Sequence, residues 1–103
     1  MSRSSPNELY ILCYDITSNK LRNKIEKKLC DFGYRLQFSV FAILTVSASF
    51  SRLEQDLRRI LEKNSSLCEK TDSILYARLR SVNELYIIVG ETPSGTKDFL
   101  VIE

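Results

Sequence analysis

Apolar and polar positions follow two distinct rhythms along the chain. Leu9 to Ile16 (LYILCYDI) is a nearly continuous apolar run of strand length, the pattern of a central strand covered on both faces. Its two-residue period sets Leu9, Ile11, Cys13 and Asp15 on one side and Tyr10, Leu12, Tyr14 and Ile16 on the other. Asp15 therefore ends an otherwise apolar face. The polar Thr17-Ser18-Asn19 that follows has helix-capping chemistry, and Leu21, Ile25, Leu29 and Phe32 then recur at helical spacing before a stop at Gly33. This pattern predicts an amphipathic helix over about Ser18 to Phe32.

Tyr34 to Leu44 (YRLQFSVFAIL) has β composition, with Val40, Ala42 and Leu44 on one face and Ser39, Phe41 and Ile43 on the other. Periodicity leaves open one strand, or a short strand turning into a longer one. A second helix is predicted from about Arg52 to Lys63, opened by the capping box Ser51-x-x-Glu54 and carrying the apolar stripe Leu53, Leu57, Ile60 and Leu61. Asp72 to Arg80 and Leu85 to Val89 read as two further strands around Ser81-Val82-Asn83. A last extended piece, Phe99 to Ile102, follows the turn at Pro93-Ser94-Gly95.

This order predicts an α+β fold, a ferredoxin-like two-layer sandwich of βαββαβ form plus a C-terminal strand, occupying residues 1–103 as one domain. Two helices cover only one face of such a sheet. The other face is expected to carry residues such as Phe41 and Ile43 toward water, so a partner surface is predicted, most simply the same face of a second copy in a homodimer.

Composition narrows the chemistry. The chain has 103 residues, 44% of them hydrophobic, enough for one modest core. No apolar run approaches the roughly 18 residues of a membrane helix, and Met1 to Glu8 is polar, so a soluble, unsecreted protein without membrane contact is expected. Cys13, Cys30 and Cys68 are odd in number and form no C-x-x-C pair, which supports neither a disulfide framework nor a zinc site. They are expected to be packed small hydrophobes in a reducing cytoplasm. Histidine is absent, which excludes Ser-His-Asp and Cys-His catalysis and His-liganded metals.

The net charge of +2 is too small to mark a nucleic-acid binder, but its distribution is uneven. Lys20, Arg22, Lys24, Lys27, Lys28 and Arg35 face only Glu26 and Asp31 between positions 20 and 35, a local excess of +4. Such a run is ordinarily a solvated helix face; alternatively Arg22, Lys24 and Arg35 position phosphates, which Arg grips with a planar fork. Asp15 has two readings as well. It caps the following helix, or it holds a hard cation such as Mg²⁺ or Mn²⁺, which needs one or two carboxylates and keeps several waters. The second reading implies a dimer that brings two copies of Asp15 together. Phe41 either stacks on a base or fills the dimer interface, and the interface is the favoured reading. An RNA-recognition motif requires a third strand of the form K/R-G-F/Y-G/A-F-V, which DSILYARLR at Asp72 to Arg80 does not supply.

Three segments together carry a specific resemblance: YDI at Tyr14 to Ile16, LRNKI at Leu21 to Ile25, and FGYRLQFSVF at Phe32 to Phe41. In order and spacing, from roughly Leu9 to Val89, they resemble the small CRISPR-associated adaptation proteins of the Cas2 family, whose first strand ends in YD and whose second helix is preceded by YG-x-R-x-Q-x-SVF. The chain departs from that pattern at Ala42, where the family commonly has an acid, and it has a longer polar start.

The resemblance implies a ferredoxin-like homodimer with facing sheets, in which residues 91–103, through Phe99 to Ile102, add a strand to the neighbouring protomer. It implies a metal-dependent endonuclease acting on RNA or double-stranded DNA, and a bridge between copies of the integrase Cas1 during spacer acquisition; a purely non-catalytic scaffold is the alternative. Carried over by position, Asp15 is the catalytic metal ligand with Tyr14 beside it. Arg22, Lys24, Lys28 and Arg35 contact nucleic acid, and Ser39 and Phe41 shape the floor of the site.

Overall fold

The structure, a computed structural model, describes residues 7–80, 84–86 and 88–89. In chain order it contains β1 (Glu8–Asp15), α1 (Asn19–Cys30), β2 (Tyr34–Gln37), β3 (Val40–Thr45), α2 (Ser47–Lys63), a short 3₁₀ turn (Ser65–Leu67) and β4 (Ser73–Leu79). The strands form one antiparallel sheet in the order β2-β3-β1-β4, so β1 is central and flanked by β3 and β4. Both helices lie on one face. This is the expected α+β ferredoxin-like sandwich.

The open question over Tyr34 to Leu44 resolves as two strands. Phe38 and Ser39 form the turn between β2 and β3, and the register shifts between Arg35 and Gln37. Gly33 enters β2 where no side chain fits: an added Cβ would lie 2.3 Å from the Ala42 carbonyl oxygen and 2.7 Å from Ile43 Cγ1. At this position glycine is required by close backbone approach rather than by an unusual dihedral.

Pairing decides the sheet faces and corrects the predicted outward face of β3. Leu12 pairs with Phe41 and Tyr10 with Ile43, so all four share the helix-covered side. Phe41 and Ile43 are fully buried there with Leu21, Ile25, Leu29 and Leu53, and neither reaches a partner surface. The error was one of assignment: alternation separates two faces but does not say which one the helices cover. The opposite face carries Leu9 and Ala42, both fully buried, against Ile11, Leu36, Leu44, Leu79 and Leu85. Leu75 remains 66% exposed on that side.

The second helix begins earlier than its capping box indicated. It starts at Ser47 with Val46 in the capping position and no side-chain cap, and Ser51 lies inside it. Packing explains the extra turn: Phe50 stacks on Tyr10 with ring centroids 3.8 Å apart and planes 5° from parallel, and it also meets Tyr76 at 4.7 Å. Burying that ring outweighs the lost cap, which is worth about 1 kcal/mol. The cysteines are likewise not packed hydrophobes, since Cys13, Cys30 and Cys68 are all exposed. Nor is there a strand among the described residues of Leu85 to Val89. The predicted extended piece Phe99 to Ile102 lies outside the described residues. No helix among the described residues is long and apolar enough to cross a membrane.

Candidate functional site

Asp15 closes β1 at one end of the sheet, opposite Ser73 of β4. Its side chain is exposed and makes no hydrogen bond or ion pair with any described residue. The capping alternative falls, because Ser18 caps α1 by accepting the Leu21 amide on Oγ at 3.1 Å. The carboxylate is thus left to solvent at the end of a central strand, where its charge stays hydrated.

The loop joining Asp15 to α1 is braced from two sides. Asp72, 55 positions further along the chain from Thr17, accepts the Thr17 amide and hydroxyl on Oδ1, each at 3.0 Å, and the Glu69 amide on Oδ2 at 2.8 Å. These donors, with the Glu69 amide foremost, hold the Asp72 carboxyl below the usual carboxylate range. Arg22 donates through Nη1 to the Ile16 carbonyl at 2.6 Å and through Nη2 to Asn19 Oδ1. Sequence reading missed Asp72, whose only local signal is an acid at the first position of a predicted strand that in the structure begins at Ser73.

Tyr14, next to Asp15 but on the opposite face, ties the strand end to the β2–β3 turn. Its amide donates to the Ser39 carbonyl at 3.1 Å, and its buried hydroxyl donates to Glu26 Oε2 at 2.5 Å with the Phe38 carbonyl 3.3 Å away. Burial first, and then the bond to Glu26, push the Tyr14 hydroxyl up to a pKa of about 12. Arg35 completes the cluster. It lies 3.3 Å from Glu26 Oε1, donates to the Phe38 carbonyl and to Tyr14 Oη, and sits 5.0 Å above the centre of the Phe41 ring.

The structure therefore brings Asp15, Tyr14, Arg35 and Ser39 to one end of the sheet, with Arg22 in the first turn of α1 reaching back to the adjoining loop and Phe41 buried beneath Arg35. Lys24 and Lys28 sit further along α1. Lys24 is exposed with no partner among the described residues, while Lys28 faces Asp56 of α2 at 3.6 Å. The exposed aromatic at this end is Phe38, 73% accessible. Among the described residues, no group of three or more His, Cys, Asp or Glu gathers as a metal cage. Among the described residues, this end of the sheet thus offers Asp15 as its free carboxylate, a donor that suits a hydrated Mg²⁺ and not a dehydrated softer metal.

An antiparallel four-stranded sheet with both helices on one face, its central strand ending in an exposed acid beside a basic helix, defines a ferredoxin-like sandwich with a polar site at one sheet end. The chain belongs to the CRISPR-associated Cas2 family, whose model, described as CRISPR associated protein Cas2, matches residues 8–84. It is 36% identical over 69 residues to CRISPR-associated endoribonuclease Cas2 4 of Rhodospirillum rubrum, covering 67% of this chain and 51% of that protein. It is 30% identical over 70 residues to CRISPR-associated endoribonuclease Cas2 3 of Chloroflexus aurantiacus, covering 66% of this chain and 75% of that protein. A Synechocystis protein named CRISPR-associated endoribonuclease Cas2 3 matches at 35% over 54 residues, 52% of this chain and 59% of that protein. The chain thus spans little more than half the length of two of these relatives. Among solved structures, a crystal structure of Cas2 superposes with a TM-score of 0.66 at 25% identity, covering 85% of this chain and 92% of that one. Cas2 of Streptococcus pyogenes superposes with a TM-score of 0.55 at 27% identity, covering 67% and 82%.

Proposed function

We propose that this protein is a dimeric nucleic-acid-binding subunit of CRISPR adaptation that cleaves phosphodiester bonds, with Asp15 as the carboxylate holding Mg²⁺ or Mn²⁺. The observation that carries this reading is the state of Asp15: an exposed carboxylate without a partner among the described residues, held at a fixed strand end by bonds that its neighbours Tyr14, Thr17 and Arg22 make. The endoribonuclease names of the relatives support the reaction class. When bound, a hard divalent ion supplies stabilisation of the charge that develops on the attacked phosphate.

The chain's own residues supply the rest. Arg22 and Lys24 attract and orient the phosphate backbone, Arg22 keeping its guanidinium near the loop that follows Asp15. Arg35 contributes positive potential at the same end while it holds the Phe38-Ser39 turn against Tyr14. Two copies of Asp15 across a two-fold axis would double the carboxylate donors, and the exposed Leu75 on the helix-free face supports association through that face. Sedimentation at micromolar concentration should then give about twice 11.9 kDa. The pairing expected of residues 91–103 lies outside the described residues, and the cytoplasm is the proposed compartment.

A second reading, a non-catalytic scaffold that bridges copies of the integrase Cas1 on the spacer duplex, is favoured by one feature. Lys20, Lys24 and Lys27 are exposed along α1, where they can neutralise phosphates without touching Asp15. Spacer integration separates the two: loss only in Lys24→Glu supports the scaffold, and loss only in Asp15→Asn supports catalysis.

A further inference from the structure

The β1–β3 pairing runs from Glu8 opposite Thr45 to Cys13 opposite Val40. Continued past Val40, the same register sets Ser39 opposite Tyr14, where the Tyr14 amide meets the Ser39 carbonyl at 3.1 Å, and Phe38 level with Asp15. Phe38 thus stands beside the Asp15 end of the central strand, with Ser73 of β4 on the other flank.

Two features of Phe38 are opposed. Phe38 is 73% exposed, against full burial for Phe41 three residues later. Its backbone is held firmly: the carbonyl accepts from Arg35 Nη1 and lies 3.3 Å from the Tyr14 hydroxyl. A large apolar side chain left in water at the tip of a turn gains nothing for the fold. An exposed phenyl on a turn whose backbone is anchored by Arg35 offers a surface on which a nucleobase stacks, because every base has a π-face. Phe41, under Arg35 and the helices, cannot take that role.

We infer that Phe38 is a stacking platform for one unpaired base of single-stranded RNA, next to the phosphate presented to Asp15. The inference rests on the proposed reading of Asp15 as the reacting end of the site. An unpaired strand is the ligand that the geometry favours, since a base inside a duplex is already stacked on both faces and offers no free face to the ring. The ring confers preference for single strands without reading sequence.

The test uses the full chain in EDTA, so that binding is read without cleavage. The probe is a 12-nucleotide RNA carrying 2-aminopurine, with the same sequence as single-stranded DNA and as a paired duplex for comparison. Phe38→Ala should weaken single-strand binding by roughly 5- to 100-fold and abolish the 2-aminopurine quench, with Phe38→Trp restoring both. An abasic nucleotide at the quenched position should weaken binding to the parent protein and change nothing further in Phe38→Ala. Duplex affinity should be the same in all three proteins. Unchanged RNA affinity in Phe38→Ala, or a shift from dimer to monomer as the only effect, overturns the platform and leaves the Asp15 reading standing. Equal quenching by single-stranded DNA means the platform does not select RNA, and overturns that part of the inference. If the parent protein binds none of the three probes, the proposed function itself fails. Because the ring is exposed, Phe38→Ala should melt within a few degrees of the parent, which keeps a loss of binding from being a loss of fold.

Discussion

Asp72 accepts both the amide and the hydroxyl of Thr17 on one carboxylate oxygen, each at 3.0 Å, and so fastens the start of β4 to the loop between β1 and α1. The loop that leaves Asp15 is held in place by an acid from a distant part of the chain. Removing it should loosen the strand end without disturbing the hydrophobic core.

Asp72→Ala is expected to lower any Asp15-dependent activity by about tenfold or more, because small misplacements of a reacting group are costly. Asp72→Asn keeps an oxygen acceptor and should retain part of the activity. The pH dependence has a definite sign. The Asp72 carboxyl is held below its ordinary value of 3.8, chiefly by the Glu69 amide, so its contribution to stability is complete above that value and is lost as pH falls through the lower folded value. Acid unfolding followed by circular dichroism should begin at higher pH in Asp72→Ala than in the parent, and coincident curves would contradict the brace.

Tyr14 and Tyr10 should titrate late. Burial, then hydrogen bonds to Glu26 and Glu8 respectively, push both hydroxyls up to about 12. A raised phenol contributes stability that is present below its ordinary value of 10 and is lost as pH climbs from 10 through 12. Ultraviolet titration should resolve a late phase that shrinks in Tyr14→Phe. That variant should cost only about 1 kcal/mol, since Arg35 still pairs Glu26 at 3.3 Å.

Gly33→Ala should destabilise strongly. The new methyl meets the Ala42 carbonyl at 2.3 Å and Ile43 at 2.7 Å, and the first of these is backbone that cannot rotate away. Overpacking of this kind costs about 1–3 kcal/mol, which corresponds to a fall in Tm of roughly 5–20 °C. A melting point within a degree or two of the parent would mean that β2 does not approach β3 as described.

The basic helix should behave unevenly. Lys24 is exposed with no partner among the described residues, whereas Lys28 already faces Asp56 at 3.6 Å. Lys24→Ala should reduce the slope of log affinity against log salt by about 2 per dimer, and Lys28→Ala by distinctly less, since an exposed pair of this kind is partly neutralised before nucleic acid arrives. Equal slopes for the two variants would place the phosphate backbone on a different face.

The order of elements from β1 to β4, the two-layer fold, and the position of Asp15 on the strand with Leu9 and Cys13 were legible from periodicity alone, because apolar spacing records the period of each element. Its limit was direction. Alternation in β3 separates Phe41 and Ile43 from Ala42 and Leu44, but only pairing with Leu12 and Tyr10 reveals that the first set lies under the helices. The capping box at Ser51 misled for a related reason, since the stacking of Phe50 on Tyr10 decides where α2 starts and involves a partner 40 positions away. Asp72 was invisible because the contact that gives it a part in the site is with Thr17, 55 positions away. Arg22 and Arg35 were legible as cations but not as braces. Charge is written in the sequence, whereas what a guanidinium is bonded to is set by the fold.

The central claim is that Asp15 carries metal-dependent cleavage, and the most direct measurement is Mg²⁺-dependent RNA cleavage by the parent and Asp15→Asn, purified side by side, with RNA binding recorded on the same samples in EDTA. The expected result is cleavage by the parent that EDTA abolishes, a fall of roughly a hundredfold or more in Asp15→Asn, and undiminished RNA binding by that variant. Cleavage by Asp15→Asn at the parent's rate would contradict the account.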